Sequence, residues 1–280
     1  MDPKAHNDLD VRIERARQAM ENCMLCPRLC GANRLRGEKG YCSLDACGYC
    51  FRSMVVNYEE YGLNPSHQLY FSGCNLRCEF CSVGQYNIEP CQVCPPTDTG
   101  LLAKDILQKQ AAGAKTLNLL GGEPAVNLYA ILQLLKELPV TTRVVWNSNM
   151  YYGELAAELL DGLVDIYLAD LKCGNNDCGC KLLWANNYRE TAKMRIKEAA
   201  CKAQTIVRHV LMPGHFECCT RPVLEWIAAE TPDAAVSIKG DYVPPAHSQL
   251  CPLEYVSSKE LERAVTLARD MGLKLVHSGK

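Results

Sequence analysis

The stretch Cys74-Asn75-Leu76-Arg77-Cys78-Glu79-Phe80-Cys81 decides the reading of this chain. It follows an apolar, β-type run at 67–72 and the pair Ser72-Gly73, where glycine lets the chain leave a strand in a tight turn. Three cysteines this closely spaced can wrap their thiolates around one iron–sulfur cubane. A fourth would fill all four irons. Three leave one iron open to an outside ligand, the feature that separates open catalytic metal sites from closed structural ones. The alternative occupant is zinc, which needs a fourth ligand from elsewhere. The position of the motif, at the end of the first strand of a βα series, favours the cluster.

Working outward, further β-type runs are expected at 115–120, 142–147, 164–170, 204–211 and 234–239, with a short apolar run at Leu273–Val276. Helical periodicity falls between them, at 100–112, 125–137, 153–161, 184–203, 221–230 and 258–271. Strands alternating with helices imply parallel pairing and right-handed crossovers. Six such units are too few for a closed eight-stranded barrel. The expected fold is α/β, either a partial barrel or an open doubly wound sheet. In both, chemistry collects in the loops at the C-terminal ends of the strands.

Those strand ends carry candidate residues. After the second strand comes Gly121-Gly122-Glu123-Pro124. Glycines permit close backbone approach, and a carboxylate there can accept from an ammonium group. The plain alternative is a tight turn with Pro124 opening a helix. The third strand ends in Trp146-Asn147-Ser148-Asn149, polar groups suited to a nucleoside or to a helix N-cap. The fourth ends in Asp170-Leu171-Lys172, for which the plain alternative is no more than a salt bridge. Arg208 and His209 lie within the fifth apolar strand, where both are costly unless paired or ligand-bound.

Taken together, these residues resemble the radical S-adenosylmethionine (SAM) superfamily. C-x-x-x-C-x-x-C with Phe80 before the last cysteine matches its signature, and Gly121-Gly122-Glu123-Pro124 matches its GGEP motif. The resemblance covers residues 67 to about 245. It implies a partial (β/α)6 barrel and a [4Fe-4S] cluster on Cys74, Cys78 and Cys81. It also implies SAM bound at the open iron and reductive cleavage to a 5′-deoxyadenosyl radical, with the amino group of SAM near Gly121, Gly122 and Glu123. Within that superfamily the chain resembles the glycyl-radical-enzyme activases, and more narrowly uncharacterised homologues of pyruvate formate-lyase activating enzyme. Carried over, Asn147 and Ser148 stand on the SAM carboxylate and ribose side, Asp170 and Lys172 beside them, and Arg208 and His209 contact SAM. Activases have aspartate where this chain has Asn147, so their neighbouring monovalent cation is in question here. The resemblance implies a reductant such as flavodoxin or ferredoxin. The substrate is a protein, a peptide or a small molecule.

The chain holds 18 cysteines among 280 residues. In a reducing cytosol, C-x-x-C pairs point to metal rather than to disulfides. Cys23, Cys26, Cys30 and Cys42 form a four-thiolate set in a segment with too little core to fold unaided. An auxiliary iron–sulfur cluster or zinc is expected there, against reduced thiols in a loop-rich lid. A second auxiliary site is drawn from Cys91, Cys94, Cys178 and Cys180 or a similar choice among the strand-end cysteines, which include Cys173, Cys218 and Cys219. Tyr242 either points at substrate or packs.

The expected division is residues 1–60 as an N-terminal helix with the cysteine-rich segment, and 61–280 as the radical SAM core. Hydrophobic residues make up 48% of the chain, enough for a large core, and the net charge of −2 is evenly mixed, which disfavours nucleic acid. Met1 to Met20 is charged and helical without a signal-peptide apolar region, and no stretch is long enough to span a bilayer. A cytoplasmic protein without membrane partners is expected. The rival reading is a non-enzymatic iron–sulfur or zinc protein that senses redox state or metal.

Overall fold

The computed structural model describes every residue except Met1, His247 and Lys280. Met1, with which the expected N-terminal helix begins, therefore lies outside the described residues. The fold is α/β, with eight strands that follow chain order. The chain divides into two compact units, Met1–Asn75 with Val83–Ile166, and Leu76–Ser82 with Tyr167–Lys280.

In the first unit, β1 (Cys50–Val56) pairs antiparallel with β2 (Ser66–Phe71), and β2, β3 (Thr116–Gly121) and β4 (Val144–Ser148) pair in parallel. Leu69, Leu117, Leu119, Val144, Val145 and Trp146 are all buried, as expected for parallel strands covered on both faces. The helices are α1 (Pro3–Asn7), α2 (Leu9–Ala19), α3 (Pro90–Val93), α4 (Thr99–Ala111), α5 (Leu128–Lys136) and α6 (Glu154–Leu160). Asp98 caps α4 by accepting from the Leu101 amide. Arg12 of α2 donates to the carbonyls of Leu159 and Asp161, supplying positive charge and donors to the C-terminal end of α6.

In the second unit, β5 (Ile166–Asp170) opens the run, and β6 (Gln204–Val210), β7 (Ala235–Lys239) and β8 (Lys274–Gly279) follow, with β6–β7 and β7–β8 parallel. Its helices are α7 (Asn176–Leu183), α8 (Tyr188–Lys202), α9 (Arg221–Glu230) and α10 (Ser258–Asp270). A capping box of Ser257 and Glu260 opens α10.

The six expected strand–helix units are β2 to β7, the count of a partial (β/α)6 barrel. Three local expectations change. Residues 50–56, expected within the N-terminal helix and cysteine-rich segment, form β1, because a strand half exposed at an edge carries no continuous apolar run. The N-terminal helix divides at Asp8 into α1 and α2. The helix expected over 184–203 is α8, which begins at Tyr188, and the short helix α7 precedes it where no helix is expected. Trp184 takes the left-handed conformation at φ 57° and stops α7, and its indole N–H donates to Glu79 at 2.8 Å.

Candidate functional site

In the first unit the chain after β2 runs close beneath the turn after β3. A Cβ on Gly122 would meet the Gly73 carbonyl oxygen at 2.1 Å, and one on Gly121 would meet the Phe71 oxygen at 2.2 Å. Both glycines are thus required by backbone contact alone, and Gly121 has φ 122° as well. The Glu123 amide donates to the Gly73 carbonyl at 2.9 Å, which fixes the entry to the cysteine loop.

Glu123 is fully buried. Its carboxylate accepts from the Ser148 hydroxyl at 2.7 Å, the Asn149 amide at 2.9 Å and the Ala125 amide at 3.1 Å. The side chain therefore binds the β3 turn to the end of β4. Asn149 carries the linkage onward. Its Nδ2 donates to Asn75 at 2.9 Å and approaches Cys74 Sγ at 3.8 Å, a donor aimed at the first thiol of the motif. Asn149 was quoted in the sequence only as part of a polar strand end; its burial in this chain of contacts is what gives it a role. Asn147 and Ser148 are also buried at the end of β4.

One face of this sheet carries several polar side chains. Gln68 and Asn118 are register partners on β2 and β3, Asn118 pairs with Val145, and Asn147 lies two residues further along the same face of β4. Tyr70 donates to Gln68 at 2.5 Å. Asn118 is completely buried, and neither end of its amide has a hydrogen-bond partner. Such a group costs stability unless something polar meets it. Sequence reasoning passed over Gln68 and Asn118; their signal is an amide at the same position of two adjacent apolar strands.

The N-terminal cysteines belong to the same unit. Cys23 Sγ receives the Arg34 guanidinium at 3.9 Å, and Cys30 Sγ receives the Tyr41 amide at 3.2 Å. Backbone amides of Arg28 and Leu44 serve Cys26 and Cys42. Burial pushes the Cys26 thiol up to about 12, and the Cys42, Cys23 and Cys30 thiols push the same way. Arg34 is wholly buried and ties this segment to the body through the carbonyls of Asp45 and Val126. Arg28 donates to the Asn75 carbonyl at 2.8 Å and lies 3.8 Å over the Tyr41 ring. The segment thereby reaches the cysteine loop itself. Cys91 and Cys94 lie beside it: Lys39 donates to Cys91 at 3.3 Å, and Cys94 packs against Cys42, Leu44, Tyr49 and Val126.

The second unit holds Cys78, Cys81 and Phe80. The Glu79 amide donates to the Leu182 carbonyl at 2.8 Å, and Phe80 packs at a tilt against Tyr242, ring centres 6.5 Å apart. Tyr242 is a packing residue, its hydroxyl donating to the Pro252 carbonyl at 2.7 Å. After β5, Lys172 pairs with Asp170 at 2.5 Å, both largely buried. Tyr188 holds this segment, its hydroxyl donating to the Asp170 carbonyl and accepting from the Lys172 amide. Complete burial drives the Tyr188 phenol well above its usual pKa. Sequence reading placed Tyr188 only inside a helix.

Arg208 is half-buried on β6, and its carbonyl accepts from the Leu171 amide. His209 is buried, with Nδ1 2.7 Å from the Leu171 carbonyl and Nε2 3.1 Å from the Thr220 hydroxyl. A carbonyl only accepts, so Nδ1 carries the proton and Nε2 accepts from Thr220. Both ring nitrogens are thus committed to protein groups, and desolvation lowers its pKa to about 4. Cys178 stands with His215, Cys218 and Cys219, their ligand atoms all within 4.8 Å of one another. Cys180 is exposed, because residues two apart on a helix point to different faces.

A family model described as the Radical SAM superfamily matches residues 69–227, more than half of the chain. The chain belongs to the radical SAM superfamily. An uncharacterized protein of Methanocaldococcus jannaschii is 34% identical over 97% of this chain and 81% of its own. Among solved structures, SuiB of Streptococcus suis bound to precursor peptide SuiA aligns with a TM-score of 0.57 at 14% identity, over 74% of this chain and 46% of that one. A radical SAM methyltransferase from Sphaerobacter thermophilus aligns with a TM-score of 0.55 at 14% identity, over 80% and 68%. The chain spans less than half of the SuiB chain, and at these identities the likeness is one of fold. Among the described residues no helix is long and apolar enough to cross a membrane.

The residues of this chain fit the groups the family implies. Cys74, Cys78 and Cys81 fall within eight residues of sequence and none is in a disulfide, and the first has an amide donor aimed at its sulfur. The buried, unpartnered Asn118 amide on the face shared with Asn147 suits a polar ligand rather than an apolar core.

Proposed function

We propose that this chain is an enzyme that holds a [4Fe-4S] cluster on Cys74, Cys78 and Cys81 and cleaves SAM reductively. The observation that carries the reading is the buried chain from Glu123 through Asn149 to Cys74, because it joins the glycine-rich turn to the first thiol of the motif. A cluster held there would supply the electron for reductive cleavage of the sulfur–C5′ bond of SAM to methionine and a 5′-deoxyadenosyl radical, the species that would take a hydrogen atom from the substrate.

The protein groups orient and exclude water. The backbone of Gly121–Glu123 and the side chains of Asn147 and Ser148 bind SAM. Asp170, Lys172 and Arg208 are further SAM-binding residues, and Tyr188 and His209 hold the backbone around Asp170–Lys172 in place. The substrate is a protein, a peptide or a small metabolite, and glycyl-radical-enzyme activation is one such use. The amides of Gln68, Asn118 and Asn147 on one sheet face support a substrate or nucleoside with hydrogen-bonding groups. The reductant is a flavodoxin or ferredoxin. Residues 1–60 act as a metal-stapled segment on the core, with Cys23, Cys26, Cys30 and Cys42 holding an auxiliary cluster or zinc; the four thiols each receive an N–H donor, as metal thiolates do. Iron, sulfide and zinc analysis of a Cys23→Ser/Cys26→Ser double variant tests this, and an unchanged metal count refutes it.

Anaerobic purification, reconstitution and treatment with dithionite and SAM tests the main reading. 5′-Deoxyadenosine is expected, and it should vanish in Cys74→Ala. A fully loaded cluster that yields none would favour the non-enzymatic reading, a redox or metal-sensing protein.

A further inference from the structure

We propose that Cys178, His215, Cys218 and Cys219 form a closed zinc site that pins the loop after β5 to the loop after β6. The four ligand atoms come from two places in the second unit. Cys178 is in the first turn of α7. His215, Cys218 and Cys219 are spaced i, i+3 and i+4 around the π turn Phe216–Thr220, which puts them on one side. The wide turn is visible in the Thr220 amide, which donates back to the His215 carbonyl at 3.2 Å. Single π turns of this kind recur at functional sites.

The distances select one ion rather than a cluster. Zn–S of about 2.3 Å and Zn–N of about 2.0 Å in a tetrahedron put sulfurs about 3.8 Å apart and nitrogen about 3.5 Å from sulfur. Here Cys178 and Cys218 sulfurs are 3.9 Å apart, and Cys218 and Cys219 sulfurs 4.0 Å. His215 Nδ1 is 3.6 Å from Cys178 Sγ and 3.4 Å from Cys218 Sγ. An iron–sulfur cubane gives each ligand its own iron and spreads the thiolates further. Three sulfurs and one imidazole are a zinc donor set, and four protein ligands leave no open position.

The surroundings are built for it. Asn175 caps α7 by accepting from the Cys178 amide at 2.8 Å, and its Nδ2 reaches the Cys218 carbonyl at 2.6 Å and Cys178 Sγ at 3.3 Å. One side chain thus orients ligands from both loops, as outer-shell groups at metal sites do. Gly174 lies so close that a Cβ there would stand 2.6 Å from the Cys219 carbonyl oxygen, and Cys173 hydrogen-bonds Cys219 from the same strand end. Thr220, next to the last ligand, donates to His209, which donates to the Leu171 carbonyl between Asp170 and Lys172. The zinc therefore stabilises the strand ends that carry Asp170, Lys172 and Arg208. This inference does not depend on SAM cleavage, and its readout is metal content.

The test uses the full-length chain purified anaerobically. Zinc and iron are measured in the wild type and in Cys218→Ser, and Cys218→Ser should lose one equivalent of zinc with iron unchanged. Zinc K-edge absorption on the Cys23→Ser/Cys26→Ser variant, in which these four ligands are native, should show three sulfurs and one nitrogen. Cobalt exchanged into that variant should give tetrahedral thiolate absorption that Cys178→Ser abolishes. Equal zinc in wild type and Cys218→Ser refutes the proposal. So does iron lost in step with Cys218→Ser, an all-sulfur zinc shell, or a wild-type Cys178–Cys218 disulfide without zinc. If Cys218→Ser does not fold, the absorption shell decides alone.

Discussion

Glu123→Gln separates two roles for the glutamate that the motif alone leaves combined. In a site with no solvent the carboxylate accepts from Ala125 N–H and the Ser148 hydroxyl on Oε1 and from Asn149 N–H on Oε2. Glutamine replaces one oxygen with a donor. Whichever way the amide turns, its NH2 faces a backbone N–H, of Ala125 or of Asn149, and neither can rotate away. The Ser148 hydroxyl can turn to accept instead. The net effect is one buried amide left unsatisfied and the loss of the charge on the remaining bonds, together about 2–4 kcal/mol. Urea unfolding of the apo chain, followed by circular dichroism, should show a lower midpoint by that amount with an unchanged slope. The apo chain removes any contribution of SAM. Stability within about 0.5 kcal/mol of wild type, together with weakened SAM binding, would refute the structural role and return the carboxylate to the ligand; that threshold is the scatter of surface substitutions.

Asn149→Ala removes the amide aimed at Cys74 Sγ. Donors to cluster sulfurs favour the reduced state, so the midpoint potential from an EPR-monitored titration should move negative, and an unmoved potential counts against that contact. Gly122→Ala drives a Cβ into the Gly73 carbonyl and should cost about 3 kcal/mol, whereas Gly37→Ala, where no atom lies within 4 Å, should cost only the ~1 kcal/mol of its left-handed backbone. Equal losses would mean the approach is not tight. His209 is buried neutral with its pKa lowered from 6.5 to about 4, so the unfolded chain takes up a proton first as pH falls. Its contribution is fully present above pH 6.5 and should be lost on acidification towards pH 4, about 3 kcal/mol in all. His67, pushed down by burial, adds in the same direction, and His209→Gln should flatten the pH–stability slope over this window.

Local pattern settled much of this protein without coordinates. The three-cysteine run, the alternation of β-type runs and helical periodicity, and the polar residues at strand ends all depend on neighbours within a few positions, and each of the six units from β2 to β7 is found where that alternation puts it. The edge strand β1 and the short helix α7 escaped because a half-exposed strand has a weak pattern and eight residues with a glycine among them carry little helical periodicity. Only the tertiary structure decided which groups share a site. It turned the Glu123 carboxylate onto Ser148, Ala125 and Asn149, committed both nitrogens of His209, and gave Cys178 to His215, Cys218 and Cys219, leaving Cys180 exposed. Spacing along the chain lists the thiols, but a ligand set closes in space across loops from different strands, and helical facing rather than sequence distance chooses its members.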